Sequence, residues 1–418
     1  MRGRFTAAVG CLLLALPLLL AACGGDNGGT SADDTAGDTG SDALTIYSSL
    51  PMQGESRGQS LSILNGEKMA LAEAGSRVGG YTIKIVAIDD STSAGKWDPS
   101  ATSSNARKAA QDRSTIAYLG DFDSGASAIS IPILNEAGIL QISPSNTAVG
   151  LTRAEGADKG EPDKYYPSGK RNYGRVIPND RIQAAAQVMY QKDLGCTKTY
   201  VLNDKEVDGT SLADQVVPLA TRQGLEVVGN DGIDPKAANY RALAQTIRTK
   251  AADCVFFSGS TQNNAVQLWK DIHAADPTIK LFGSARVAES AFAAKIGPSA
   301  EKVTYITSPA LDPKLYPPSG RKFLRDYRAS YHADPEPFAI FGYEAMKVAL
   351  QAIRDAGAKG NNRNAVMQAF FKIRNRNSVL GPYSIDANGD TTLSVFGGSR
   401  VQDGKLVFDR VFQVPPSS

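Results

Sequence analysis

The sequence is poor in the side chains on which most acid–base and metal enzymes depend. Its 418 residues include two histidines, and neither His273 nor His332 lies at metal-ligand spacing from a cysteine or from the other histidine. The sequence also lacks a phosphate-binding P-loop and a GxGxxG motif after its first predicted strand. We therefore expect a protein that is not an enzyme and that needs no cofactor.

One short motif keeps an enzymatic alternative open. Residues 54–58 spell GxSxG, in which Ser56 would be the nucleophile of an exported hydrolase or amidase. A nucleophile elbow requires a tight turn directly after a strand, whereas Ser56 lies well beyond the predicted end of the first strand at Ser48. A loop explains this segment better.

A second short motif resembles the start of a calcium-binding loop. Asp386, Asn388 and Asp390 have the spacing of its first ligands. However, Thr391 replaces the glycine of that motif, and Gly397 stands where the bidentate glutamate belongs. A hairpin turn explains these residues better, so no metal site is expected.

Charge and hydropathy exclude two further classes. The formal net charge is +2 and the basic residues are scattered, so we expect no nucleic-acid partner. Beyond the N-terminus, no apolar run approaches the length that spans a bilayer.

The N-terminus has the order of a secretory signal that ends in a cysteine. Two arginines precede an apolar run over residues 7–20, which is too short to span a bilayer of roughly 30 Å comfortably. The sequence Leu-Ala-Ala-Cys over residues 20–23 resembles the lipobox of bacterial lipoproteins. That resemblance implies a signal peptide over residues 1–23, lipidation of Cys23, and a membrane anchor on the extracytoplasmic face of a bacterial cell. A plain signal peptide with a chance cysteine is the alternative.

Residues 24–42 are predicted to be a flexible linker. The segment is rich in glycine, aspartate and threonine, and cannot bury enough surface to offset its chain entropy. Beyond it, two cysteines remain, Cys196 and Cys254, each at the start of a predicted strand. Disulfides persist in exported proteins; if these strands are neighbours the two cysteines can pair, and two buried free thiols are the alternative.

From residue 44 onward, predicted strands and helices alternate. A loop rich in glycine, proline, lysine and aspartate over residues 150–173 interrupts the series, which restarts over residues 181–306. Helices and short hairpin strands follow. The pattern predicts an α/β fold with two lobes, each built on a parallel sheet, and a ligand cleft between them.

Two loops of the first lobe carry the binding signal. Ser124 can cap the helix after the first loop, and the free N–H groups of Gly125 and Ala126 favour an anionic group such as a carboxylate. Ser145 and Thr147 follow the next strand and supply hydroxyls to the same edge. Each loop alone is weak evidence, because an N-cap serine is usually only a cap.

An ordered set of motifs strengthens this interpretation. Asn65-Gly66 lies in the first helix, Asp89-Asp90 follows the second strand, and residues 135–144 read NEAGILQISP. Together they resemble the type I periplasmic binding proteins, in particular the branched-chain amino-acid binding components of ABC importers. The resemblance implies two Rossmann-like lobes joined by a three-segment hinge.

The resemblance also implies boundaries and partners. Lobe 1 would comprise residues 43–177 and 309–381, and lobe 2 residues 178–308 and 382–418. The partners would be a small polar ligand, an amino acid or amide-like molecule, and the permease subunits of an ABC importer; the protein would be a monomer. A sensor of the same fold that feeds a membrane signalling protein is the alternative.

Carried over residue by residue, the family site falls on lobe 1. Ser124 and Thr147 would hold the ligand carboxylate, and the backbone carbonyl of Ser145 would accept the ammonium group. Asp180 matches an aspartate near the first crossover. The first lobe is thus expected to bind an α-amino-acid head group.

The second lobe departs from the family pattern. Asp208 replaces a tyrosine, Ser260 stands where an aromatic residue is usual, and Ala285 beside Arg286 stands where an acidic residue is usual. In the first loop, Arg57 replaces an aromatic residue. We expect a more polar pocket that need not bind leucine, unless the alignment slips by a residue or two.

Overall fold

The computed structural model describes residues 39, 41–92 and 95–415. The predicted signal peptide, the lipidation site Cys23 and nearly all of the predicted linker therefore lie outside the described residues. Within the described part of the chain, no helix has both the length and the apolar character needed to cross a membrane.

Strands and helices alternate as the sequence predicted. The strands are β1 (Ala43–Leu50), β2 (Arg77–Val78), β3 (Tyr81–Asp89), β4 (Thr115–Gly120), β5 (Leu140–Ser143), β6 (Tyr173–Arg175), β7 (Lys198–Asn203), β8 (Glu226–Gly232), β9 (Cys254–Ser258), β10 (Lys280–Gly283), β11 (Thr304–Ser308), β12 (Arg376–Ser378), β13 (Gly381–Tyr383), β14 (Val395–Gln402) and β15 (Lys405–Gln413). The α-helices are α1 (Arg57–Glu73), α2 (Pro99–Gln111), α3 (Ser124–Glu136), α4 (Asp180–Asp193), α5 (Val207–Arg222), α6 (Arg241–Thr249), α7 (Ala265–Ala275), α8 (Ser290–Ala293), α9 (Pro298–Glu301), α10 (Pro318–Tyr331), α11 (Ala339–Asp355) and α12 (Arg363–Phe371).

Two separate sheets confirm the predicted fold class of two α/β lobes. The sheet of lobe 1 has the order β2-β3-β1-β4-β5-β6, and the sheet of lobe 2 has the order β15-β14-β11-β10-β9-β7-β8. Their central strands are parallel. The edge strand β2 pairs antiparallel with β3, and at one end of the second sheet β14 pairs antiparallel with both β11 and the edge strand β15. The exact lobe boundaries given above stay a prediction.

The loop over residues 150–173 was predicted to lie on the surface, but part of it is buried. Tyr165 and Tyr166 are buried and pack with Ile131 and Leu151, and the Tyr166 hydroxyl donates to the carbonyl of Leu151 (2.6 Å). The segment then runs into β6, beginning at Tyr173. The aromatic side chains hold the segment against lobe 1 because they bury large apolar areas.

The residues that resembled a calcium loop form ion pairs at the hinge, where the segment between β13 and β14 meets β6. Asp390 accepts hydrogen bonds from Arg175 Nε (2.8 Å), Arg153 Nε (2.6 Å) and Asn179 Nδ2 (3.0 Å). Asp386 pairs with the same Arg153 side chain. Arginines therefore satisfy these carboxylates and tie the segment between β13 and β14 to β6 and to the loop before it.

Cys196 and Cys254 form a disulfide in lobe 2, with Cα atoms 5.9 Å apart. Strands β7 and β9 are neighbours, and Thr199 lies opposite Cys254. In the chain-entropy model, closing the loop between these two cysteines stabilises the folded state relative to the unfolded chain by about 4 kcal/mol.

In lobe 1, α1 and α11 cross at two glycines. A Cβ atom at Gly66 would lie 2.2 Å from the carbonyl oxygen of Ala339, and one at Gly342 would lie 2.4 Å from that of Ile63. Both obstacles are backbone atoms, which cannot rotate away. The Asn65-Gly66 motif therefore has a packing reason, since the helix backbones approach too closely for any side chain.

We expect Gly66→Ala to lower the free energy of unfolding by about 1–3 kcal/mol, because overpacking must separate two helices. Gly58→Ala is the matched control on the same helix, since its nearest neighbour would be 3.9 Å away and alanine favours helices. Chemical denaturation of the three proteins measures the effect. Equal stability of Gly66→Ala and Gly58→Ala would contradict the packing argument.

Candidate functional site

The loops after β4 and β5 form one rigid surface at the carboxyl edge of the lobe 1 sheet. Ser143 Oγ donates to the carbonyl of Asp121 (3.0 Å), and Ser145 Oγ donates to that of Phe122 (2.9 Å). Asn146 Nδ2 also donates to the carbonyl of Asp121 (3.0 Å). These hydroxyl and amide groups are used to hold the loops together. Among the predicted ligand contacts on this surface, Ser124 and Thr147 are those predicted to act through their hydroxyls, whereas Ser145 is predicted to act through its backbone carbonyl.

A carboxylate from lobe 2 occupies the predicted anion position of Ser124. The backbone N–H of Ser124 donates to Asp208 Oδ2 (2.8 Å), and Ser124 Oγ donates to Asp208 Oδ1. Both side chains are buried. Because Ser124 begins α3, the Asp208 carboxylate also lies at the positive end of the helix dipole. The geometry of an anion site is thus present, and a residue of the chain itself fills it.

A second inter-lobe contact flanks the first. The Arg286 guanidinium of lobe 2 forms an ion pair with Asp123 of lobe 1 and donates through NH1 to the carbonyl of Phe122 (3.1 Å). It also lies 4.2 Å from the centroid of the Phe122 ring. Lys96 Nζ donates to Asn263 Oδ1 (2.9 Å) on the same side. The lobes therefore meet through direct polar contacts.

Asp204 organises the lobe 2 wall. Its carboxylate accepts hydrogen bonds from the backbone N–H of Ser260 (3.0 Å), from Asn263 Nδ2 (2.8 Å) and from the backbone N–H of Glu206 (3.2 Å). These bonds hold the loop after β7 against the loop after β9. Ser260 is buried there at 4 % exposure.

Asp180 links the site to the hinge. Its backbone N–H donates to the carbonyl of Thr147 (2.8 Å). Its side chain is fully buried, and neither carboxylate oxygen has a partner in hydrogen-bonding geometry. The hydroxyls of Thr147 and Ser211 lie near enough to oppose part of the pKa rise that burial causes.

The structure brings six of the predicted site residues into contact between the lobes: Ser124, Gly125, Thr147, Asp180, Asp208 and Arg286. Ser145 and Ser260 are buried in loops of lobe 1 and lobe 2, where their contacts are with residues of the same lobe. Arg57 corrects the prediction. It is exposed at the first position of α1, while the preceding Ser56 turns inward and is buried.

Sequence reasoning missed several acidic residues of the site. Asp123 and Asp204 follow β4 and β7, and Asp90 follows β3, so the rule that ligands bind at the carboxyl ends of parallel strands would have found them. Glu289 follows the short turn after β10. Its carboxylate is buried, and neither of its oxygens has a hydrogen-bond partner.

Burial perturbs these carboxyl groups. Desolvation raises the pKa values of Asp123, Asp180 and Glu289 to about 7. The pKa of Asp123 stays raised even though the Arg286 guanidinium favours its charged form. Desolvation also raises the pKa values of Asp90, Asp204 and Glu206. Contact between the lobes therefore opposes the ionisation of several acids at once.

A cavity of about 1040 Å³ adjoins these contacts. Ala148 and Leu151 of lobe 1 line it together with Val207, Ser211 and Arg181 of lobe 2. Its walls thus come from both lobes, and Ser211 accepts a hydrogen bond from the backbone N–H of Val149 (3.1 Å) at its edge. The cavity is large enough for a small organic solute.

A family model described as "Periplasmic binding protein" matches residues 45–404. The chain belongs to this family. As a periplasmic binding protein it is an extracytoplasmic solute-binding protein rather than an enzyme, which excludes the hydrolase alternative at Ser56. That hydroxyl is buried without a hydrogen-bond partner.

Relatives of this periplasmic binding protein cover most of its length. The Leu/Ile/Val-binding protein BraC3 of Rhizobium johnstonii is 26 % identical over 87 % of this chain and 93 % of its own. An amino acid binding protein of Pseudomonas aeruginosa is 25 % identical over 76 % of this chain and 78 % of its own.

Solved structures show the same fold. The leucine binding protein LivK of Thermotoga maritima has a TM-score of 0.77 at 21 % identity, covering 88 % of this chain and 99 % of its own. An ABC transporter solute binding protein of R. palustris in complex with benzoate has a TM-score of 0.74 at 22 % identity, covering 89 % of this chain and 97 % of its own. The two-lobe architecture of periplasmic binding proteins thus extends over the described chain.

We expect Asp180→Asn to stabilise the periplasmic binding protein more at about pH 7.5 than at about pH 4.5, by roughly 2–4 °C in Tm. Asp208 of α5 and Arg175 of β6 face this carboxyl group. Its pKa is about 7 in the folded state and about 3.9 in the unfolded state. Between these two pKa values the folded state keeps a proton on Asp180 that the unfolded state has lost. The free energy of unfolding therefore falls as the pH rises from about 3.9 to about 7.

Thermal melts at the two pH values measure the difference. Asp98→Asn, at the half-buried N-cap of α2 in lobe 1, is the control for the loss of a carboxylate away from Asp180. A shift of Asp180→Asn that is the same at both pH values would contradict the burial argument.

Proposed function

We propose that the protein is the substrate-binding lipoprotein of an ABC importer. It would bind an amino acid or similar small polar solute between its lobes and deliver it to the permease. The observation that carries the proposal is the meeting of Ser124, Asp208, Asp123 and Arg286 at the carboxyl edges of both sheets. Polar groups from two lobes converge there beside a solute-sized cavity.

Binding would act through the relative position of the lobes. A ligand stabilises the closed arrangement only by its additional affinity for that arrangement. A shift from mostly open to mostly closed requires roughly 5 kcal/mol of such a difference. A few buried, charge-assisted hydrogen bonds supply energies of this scale, and the permease would then recognise the closed form.

The names of relatives support a small organic solute. BraC3 is named for leucine, isoleucine and valine, and the R. palustris structure contains benzoate. Related folds therefore hold chemically different ligands. For this chain, the departures at Asp208, Ser260 and Arg286 favour a polar solute over an aliphatic one, because a buried charge needs a partner.

Anchoring can be tested at Cys23. We expect the mature N-terminus to be a lipid-modified Cys23, and Cys23→Ala to leave the signal sequence uncut and the N-terminus without lipid. Each acyl CH₂ contributes about 0.8 kcal/mol to membrane binding, so two chains hold the protein firmly. Detergent phase partitioning with mass spectrometry of the N-terminal peptide measures both effects. Wild-type protein that enters only the aqueous phase, without lipid mass, would contradict the anchor.

The site itself can be tested with Ser124→Ala and Thr147→Val. Solutes released from the purified protein are first identified by mass spectrometry, and calorimetry then measures their affinity. We expect each variant to weaken binding about five- to a hundredfold, since a lost hydrogen-bond partner costs roughly 1–3 kcal/mol. Ser124 either contacts the solute itself or holds Asp208 in position for it. Thr147 lies beside Asp180.

Ser104→Ala on the exposed face of α2 is the control. Melting curves of the three variants verify that the fold is retained. A solute that binds both site variants as tightly as the wild type would place the ligand elsewhere.

A further inference from the structure

The charge of the cleft is strongly unbalanced. Among the described residues, the cations whose charges act on its acids are Arg286, Lys96 and Arg175. Arg286 is paired with Asp123, and Lys96 lowers the pKa of Glu206 by its charge. The carboxyl groups whose charges act on one another or on Arg286 are more numerous: Asp123, Asp180, Asp204, Glu206, Asp208 and Glu289.

The anion position of Ser124 is already filled. Asp208 accepts both hydrogen bonds that Ser124 offers. A ligand carboxylate in the same place would have to displace Asp208 and leave that charge buried among other acids. Like charges within a few ångströms repel strongly in a dry site. The site as built therefore discriminates against anions.

Buried acceptors without partners remain beside this contact. Asp180 is fully buried, Glu289 is 3 % exposed, and none of their carboxylate oxygens has a hydrogen-bond partner. The charge of Asp208 acts on Asp180, which places Asp180 on the Asp208 side of the cleft. Arg175, which also faces Asp180, is already paired with Asp390 at 2.8 Å. Hydroxyl groups of the chain lie near these oxygens, those of Thr147 and Ser211 in the case of Asp180, but none is in hydrogen-bonding geometry.

We propose that the cleft takes a small organic cation, whose ammonium or guanidinium group donates to the carboxylates of Asp180 and Asp208 while Asp208 stays on Ser124. A carboxylate has about four acceptor positions, and Ser124 uses two of those on Asp208. The inference rests on the proposed solute-binding function and narrows it. Asp208 is then the residue that determines specificity, because it both fills the anion position of Ser124 and accepts from the cation.

Calorimetry on ligand-stripped protein tests the proposal with two matched pairs of probes. Agmatine and L-arginine share their cationic groups, and agmatine lacks the carboxylate. L-Leucinamide and L-leucine share their ammonium group and side chain, and leucinamide has a neutral amide in place of the carboxylate. We expect the carboxylate-free member of at least one pair to bind at least about tenfold more tightly than its partner.

Two variants test whether the bound cation contacts Asp180 and Asp208. Asp180→Asn and Asp208→Asn should each weaken the cation that binds by at least about tenfold, and both should melt cooperatively. Glu226→Gln removes one exposed acidic charge from lobe 2, where Glu226 faces Lys198 at 3.6 Å, and should leave the affinity unchanged.

Proton release gives a readout that a purely structural role would not change. Burial raises the pKa of Asp180 to about 7, so a bound cation should lower that pKa and release protons at neutral pH. Titrations in two buffers of different ionisation enthalpy measure the release, which should decrease in Asp180→Asn.

Two results overturn the proposal: neither agmatine nor leucinamide binds, or the carboxylate-bearing partners bind as tightly. If leucine or arginine binds through its carboxylate, with affinity lost in Thr147→Val, the proposed solute-binding function stands and the cation proposal fails. If no probe binds and no solute is released from the purified protein, both fail.

Discussion

The carboxylate of Asp208 lies against the amino end of α3 and connects the two lobes. Ser124 contributes its backbone N–H and its hydroxyl, and the helix dipole adds a favourable field. The loops after β4 and β5 must be rigid for this contact to form, and hydroxyl groups such as that of Ser143 make them so. The pairing of Arg286 with Asp123 follows from the same approach of the lobes.

This contact places opposite demands on the acids around it. Asp208 and Asp123 gain donors, whereas Asp180 and Glu289 lose water without gaining a partner from the chain. Their raised pKa values express that cost. The hinge shows how the chain satisfies an acid where no ligand is involved, since Asp390 receives two arginines and burial does not prevent its pKa from falling below the usual range. Asp390 is thus an acid that the chain itself satisfies, whereas Asp180 and Glu289 are available to a solute.

Much of the architecture could be predicted because it depends on local periodicity. The alternation that begins at Leu44 has the period of buried parallel strands and covering helices, and β1, β3, β4 and β5 lie where that alternation places them. Ser124 and Thr147 could be found since they follow predicted strands. The burial of Tyr165 and Tyr166 could not be predicted, because glycine, proline and lysine dominate that segment and the partner Ile131 comes from α3, outside the segment.

The sequence by itself determined the two-lobe α/β class, the edge of lobe 1 that carries the site, and the two strands that begin just after Cys196 and at Cys254, since each of these follows from short-range pattern and strand order. Only the tertiary structure decided what stands opposite Ser124. Asp208 lies on a different lobe, and Arg57, which the sequence placed in the pocket, is turned away by the start of α1. The direction of a side chain across a cleft depends on how two separately folded sheets approach each other, and local sequence does not encode that approach.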